Sequence, residues 1–193
     1  MNHQDIRIAT RLDLKAPAPG VLPAQFSGVA YSGEKVPALG VVIDVGSTSV
    51  PEKMPLLIEH DRGRIAGVVN AATATAGTIT VSGKLFSDME GSDAQRIAQL
   101  ASRGAVYQLS IGLYGFTEHI VGQGQGIEVN GRRFDGPLVV LRQGKVRETS
   151  LVVLGADHQS TVAMFGSPAK VPASLDPRSV YAKRARDAAA CRR

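Results

Sequence analysis

The hydrophobic pattern of this chain runs mostly with a period of two. Thr78–Phe86 is the clearest case: Ile79, Val81 and Leu85 share one face, and Gly83 keeps the register. That is the pattern of a half-buried strand. Phe26–Ser32, Leu39–Val45, Leu56–His60 and Ile65–Asn70 read as further strands, with the charged run Asp61-Arg62-Gly63-Arg64 as the turn between the last two. In Val106–Tyr114, Leu109, Ile111 and Leu113 alternate with Gln108, Ser110 and Gly112. Ile127–Phe134 holds Asn130-Gly131, a strong hairpin turn, and Leu138–Arg142 and Lys145–Leu154 read as two strands around Gln143-Gly144. One segment has a helical period. Ser92-Asp93-Ala94-Gln95 has the form of a capping box, Ala94, Ile97, Ala98 and Ala101 recur at helical spacing, and Gly104 stops the run. The elements add up to a mainly β chain of short strands and tight turns.

The two ends differ from this body. Residues 1–24 read as a loose or edge arm containing Ala16-Pro17-Ala18-Pro19-Gly20. From about Gly166, Pro168, Pro172 and Pro177 punctuate a linker, and Asp176-Pro177 offers an N-cap and first position for a basic, Ala-rich helix. Residues 167–193 are therefore expected to be an appendage. The pattern contains no internal repeat.

Composition narrows the classes. A length of 193 residues with 44% hydrophobic content suits one domain with a real core and argues against wholesale disorder. No apolar run exceeds about six residues, against the roughly 20 that span a bilayer, so no transmembrane helix is expected. The start, Met1 to Pro17, is charged throughout and has no apolar region of the secretory type. The single cysteine, Cys191, can form neither an intramolecular disulfide nor a cysteine-based zinc site within one chain. A cytosolic protein is the simplest expectation. The formal net charge is +5, but residues 178–193 carry six Lys/Arg against Asp187 alone. The whole excess lies there, and the body is balanced. This disfavours a body that reads nucleic acid, leaving only weak phosphate contact through the tail.

Three polar positions stand out against the strands. His60 ends an apolar run at a polar turn, where a neutral imidazole could accept a proton from a nucleophile. It could equally be a strand-end histidine bonded to a neighbour. Ser110 faces away from Leu109 and Ile111, beside Gly112, which leaves room for another backbone or a substrate. The surroundings are not Gly-x-Ser-x-Gly, so a hydrolase elbow is not indicated. The bland alternative is a serine on a solvated strand face, and Ser150 is a similar case. Glu148 leads into the apolar run Leu151-Val152-Val153 and needs a partner or solvent. That partner could be His60, or Arg147, Arg142 or Lys145 across a hairpin. His119 and His158 are alternatives to Glu148 as a third member.

Taken in order, Leu57-Ile58-Glu59-His60-Asp61 with Gly67, Leu109-Ser110-Ile111-Gly112-Leu113, and Glu148-Thr149-Ser150-Leu151-Val152 resemble the prohead maturation serine proteases of tailed bacteriophages, which are related in fold to the herpesvirus assemblins. The resemblance spans roughly residues 26–165. It implies a strongly twisted, barrel-like antiparallel sheet with peripheral helices, a protease domain over residues 25–166, and a serine endopeptidase. Ser110 would be the nucleophile, His60 the general base and Glu148 the third member, with His119 the alternative because the herpes enzymes use a second histidine there. Arg147 or Arg142 would assist the oxyanion. No cofactor and no metal are implied. The implied partners are the scaffold protein, the N-terminal segment of the major capsid protein, the protease itself and a second copy in a homodimer. The implied place is the host cytoplasm, inside the procapsid. Two rivals stand beside this reading. One is a non-catalytic capsid- or scaffold-binding module on the same fold. The other is a β-barrel nucleic-acid binder working through the tail, disfavoured by 5% aromatics and no tryptophan.

Overall fold

The computed structural model describes residues 22–166. Nearly all of the arm predicted over residues 1–24 and the whole linker and tail of 167–193, with Cys191, lie outside them. Twelve strands and one helix follow in order: β1 (Gln25–Tyr31), β2 (Val41–Ile43), β3 (Met54–Ile58), β4 (Asp61–Thr75), β5 (Thr78–Leu85), α1 (Asp93–Ser102), β6 (Gln108–Tyr114), β7 (Thr117–Val121), β8 (Gly126–Val129), β9 (Arg132–Asp135), β10 (Leu138–Arg142), β11 (Lys145–Val152) and β12 (Thr161–Phe165). Seven strands form one sheet in the order β12-β1-β5-β4-β3-β11-β6; β2-β10-β7 and β8-β9 form smaller ones. Within the large sheet every pair is antiparallel except β3 with β11.

The large sheet is strongly curled into a half-barrel, so that β6 at one end returns to contact β1 and β12 at the other without pairing to them. Its concave face closes over the main core, which includes Phe26, Leu56, Ile58, Ile79, Leu109 and Leu151. The alternation in β5 is as the pattern predicts, with Ile79, Val81 and Leu85 all buried. A second, smaller core of Val42, Val121, Phe134 and Val140, among others, lies under the minor sheets.

Helix α1 starts as its sequence requires. Ser92 Oγ accepts from the Gln95 amide at 3.0 Å, while the Gln95 side chain reaches back to the Gly91 amide at 3.0 Å. Ala94, Ile97 and Ala98 are its buried face. The Asn130-Gly131 turn joins β8 to β9, with φ of 56° and 71° at its two residues.

The structure differs from the pattern in three places. First, the turn between β3 and β4 is Glu59-His60, and the predicted turn Asp61–Arg64 is the irregular start of a strand running to Thr75. Both turn residues have positive φ, 51° and 58°. This is the backbone of a two-residue hairpin of the type that favours Asn and Gly, and neither is present to announce it. Second, β10 and β11 flank Gln143-Gly144 but belong to different sheets. Third, β7 and β12 form where the pattern predicts no strand: four of the five residues of β7 are exposed, so no alternation marks it.

Core and cap should separate on substitution. Phe26→Ala is expected to lower unfolding stability by about 3–5 kcal/mol through a cavity. Ser92→Ala is expected to lower it by about 1 kcal/mol through loss of the cap. Urea unfolding followed by circular dichroism checks both.

Candidate active site

Three neighbouring strands bring the candidate residues together. β11 lies between β3 and β6, with Ser150 opposite Leu57 on one side and Ser110 on the other. Glu148 stands opposite Gly112. Because Leu109 and Leu151 face the core, Ser110 and Ser150 face outward, on the opposite surface of the sheet.

Simple alternation would not put Glu148 there. Val146 belongs to the core, and a residue two positions on should share its face. The register shifts between Val146 and Glu148, leaving Arg147 as an extra residue against β6. This bulge moves Glu148, and Ser150 after it, to the outer surface while Thr149 and Leu151 point inward.

The side chains then form a hydrogen-bonded chain. His60 Nδ1 lies 2.8 Å from Glu148 Oε1, and His60 Nε2 lies 3.0 Å from Ser110 Oγ. With Nδ1–H donating to the carboxylate, Nε2 is left to accept from the serine hydroxyl. Ser150 Oγ donates to Glu148 Oε2 at 2.7 Å and accepts from the His60 backbone amide at 3.2 Å. The turn carrying His60 is tied to β11 and the residue that follows it: the Glu59 amide donates to Leu151 O at 3.0 Å, and Glu59 Oε1 accepts from the Val153 amide, just past β11, at 2.8 Å.

Glycine at 112 has a specific use. A Cβ there would collide with the Glu148 carboxylate. The room the sequence offers at this position is thus taken by Glu148 itself rather than by a substrate.

Glu148 is 6% exposed and Ser150 fully buried, whereas the His60 side chain is 44% exposed. The hydrogen bond to Glu148 raises the His60 pKa above the ordinary histidine value, and partial burial opposes it. Protonated His60 therefore stabilises the fold below the unfolded-state value, about 6.5. That contribution is lost as pH rises through the raised folded value.

The other candidates lie elsewhere. His119 is exposed on β7 in a minor sheet, opposite Val140, and His158 is exposed in the segment before β12. Arg142 ends β10, and its Nε lies 3.2 Å from Oδ2 of Asp44, just after β2. The Arg147 guanidinium stacks 5.2 Å from the centre of the Tyr114 ring, on a hollow shared with Arg62, Leu57 and Glu148. Neither arginine hydrogen-bonds to the trio.

Ser110 and His60 open onto a cleft of about 320 Å3. Its walls are largely apolar: Tyr31 from β1, Val41 and Ile43 from β2, Leu109 and Ile111 from β6, with Phe116 and Leu141. Asp157 also lines it, but its carboxylate is engaged by the Ser32 amide at 2.6 Å and the Gln159 amide at 3.0 Å. The sequence pattern gives Asp157, at the end of Gly155-Ala156-Asp157, no role of its own; only the fold carries that residue from the segment after β11 to the cleft. A hydroxyl bonded to an imidazole that is bonded to a buried carboxylate is an arrangement able to perform nucleophilic acyl transfer. No protein-family model and no curated protein matches this chain.

The coupling of His60 to Glu148 is directly measurable. In an NMR titration of the imidazole, His60 is expected to titrate above the ordinary value of about 6.5. Both Glu148→Gln and Gly112→Ala are expected to lower that midpoint, the first by removing the charge and the second by displacing it. An unchanged midpoint in Glu148→Gln would contradict the pairing.

Proposed function

We propose that this chain is a serine endopeptidase of the phage prohead maturation type, with an assemblin-like fold, acting on scaffold, on the N-terminal segment of the capsid protein and on itself. The observation that carries the enzymatic part is the continuous chain Ser110–His60–Glu148, with links of 3.0 and 2.8 Å. The capsid-maturation part rests on the resemblance of the three sequence stretches, and the curled mainly β sheet is compatible with it.

In this mechanism His60 Nε2 removes the Ser110 proton as Oγ attacks a peptide carbonyl. Glu148 holds Nδ1–H and balances the imidazolium that forms. His60 then returns its proton to the leaving amine, and water, activated by the same imidazole, releases the acyl group from Ser110. The apolar cleft beside Ser110 would hold substrate side chains. A peptide, which is neutral along its backbone, fits such walls better than a phosphodiester backbone does.

Reaction with a fluorophosphonate, read by intact mass, tests the reading. One adduct is expected, mapping to Ser110 and absent in Ser110→Ala. In His60→Ala the labelling rate should fall by about 100- to 10,000-fold. The absence of any wild-type adduct, even at concentrations that drive dimerisation, would favour the non-catalytic binding module.

The same reaction has a predictable pH dependence. Only neutral His60 can act as base, so the labelling rate should fall on acidification with a midpoint above about 6.5, following the raised pKa. In Glu148→Gln both the rate and the midpoint should drop. A wild-type rate that stays flat down to about pH 5 would exclude His60 as the base.

A further inference from the structure

We infer that Ser150 is a positioning residue that fixes the Glu148 carboxylate and the His60 turn in one geometry. The inference rests on the serine-hydrolase reading for its consequence in catalysis, but the geometry stands independently of it. Ser150 has no exposed surface. Its hydroxyl has one proton and that proton goes to Glu148 Oε2 at 2.7 Å, while one of its lone pairs receives the His60 amide at 3.2 Å. A single oxygen thus joins the third member of the trio to the backbone of the second.

Each bond answers a need that nothing else among the described residues meets. Glu148 Oε1 is used by the imidazole. Without a donor on Oε2, the carboxylate would be half satisfied in a nearly buried setting and free to rotate about its terminal torsion, which has broad wells. The His60 amide belongs to a two-residue turn with positive φ at both positions, where no glycine or asparagine lowers the cost. Its bond to Ser150 anchors that amide to β11. Ser150 is also directly opposite Ser110 across the β11–β6 pair, so the same residue registers all three members. With its proton committed and its surface buried, Ser150 is not a competing nucleophile.

The test compares Ser150→Ala, Ser150→Cys and Ser150→Thr in the full chain. Alanine removes the hydroxyl, cysteine keeps nearly the same shape with a weak donor, and threonine keeps the hydroxyl on a side chain suited to a strand. Two signals are read: the low-field proton resonance of His60 Nδ1–H, and the rate of fluorophosphonate labelling per folded molecule. The expected result is loss or an upfield move of the proton signal in the alanine and cysteine variants. Labelling in those two should slow by about 10- to 100-fold, the usual scale for supporting-shell losses, and threonine should restore both signals. A folded Ser150→Cys protein with an unmoved proton signal and wild-type labelling would overturn the inference, leaving Ser150 as packing alone. If the wild type never labels, yet the proton signal is lost in the alanine and cysteine variants and kept with threonine, the positioning role holds and the hydrolase reading is the one that fails.

Discussion

A carboxylate taken out of water in the middle of a sheet must be met by donors, and Glu148 is the group around which the outer surface of this protein is arranged. An uncompensated charge at 6% exposure would cost several kcal/mol. Here one oxygen takes the His60 ring and the other takes Ser150. Those bonds dictate what stands nearby. A side chain at position 112 would displace the carboxylate, which occupies that space. The turn after β3 must bring His60 across β11, which positive φ at Glu59 and His60 achieves. Ser110, on the far side of β11, then meets the second ring nitrogen. The geometry of three strands follows from satisfying one buried charge.

Packing and chemistry are divided between the two surfaces of the same strands. Leu56 and Ile58 of β3, Leu109 of β6 and Leu151 of β11 hold the sheet on its core. Ser110 of β6, Glu148 and Ser150 of β11, and His60 in the turn after β3 carry the polar chain. Rigid placement follows, because Ser110 sits next in sequence to Leu109 and Glu148 next to Thr149, both fully buried, while His60 is held by the bonds of its turn. The trio is thereby supported by strands and by one anchored turn rather than by long loops, a setting that favours reproducible geometry.

Much of this was legible from residue order. The alternation around Ser110 marked both its strand and its outward direction. The apolar run before His60 marked a position held by a scaffold, and the isolation of Glu148 before Leu151-Val152-Val153 marked a charge that needed a partner. Helix α1 and the Asn130-Gly131 hairpin were readable because their local chemistry is self-sufficient. What escaped was set by tertiary contacts. The Glu59-His60 turn carries none of the residues that usually adopt its backbone, so the charged run after it drew the prediction instead. The split of β10 and β11 between sheets depends on partners distant in sequence. Ser150 drew attention only as a second outward serine, since its role appears only when β3 and β11 are side by side.

The bulge at Arg147 makes the site a matter of parity. Strands have two faces, and an added or lost residue exchanges them. Upstream of Arg147 the odd-even assignment of β11 serves the core through Val146; downstream the opposite assignment serves it through Thr149 and Leu151. For the alternation, only the presence of a residue at 147 matters and not its side chain, which stacks on Tyr114. The chain could not drop that position without either burying Glu148 and Ser150 while turning Leu151 out, or turning Val146 out of the core. The length of this stretch of β11 is therefore constrained by both surfaces of the sheet at once.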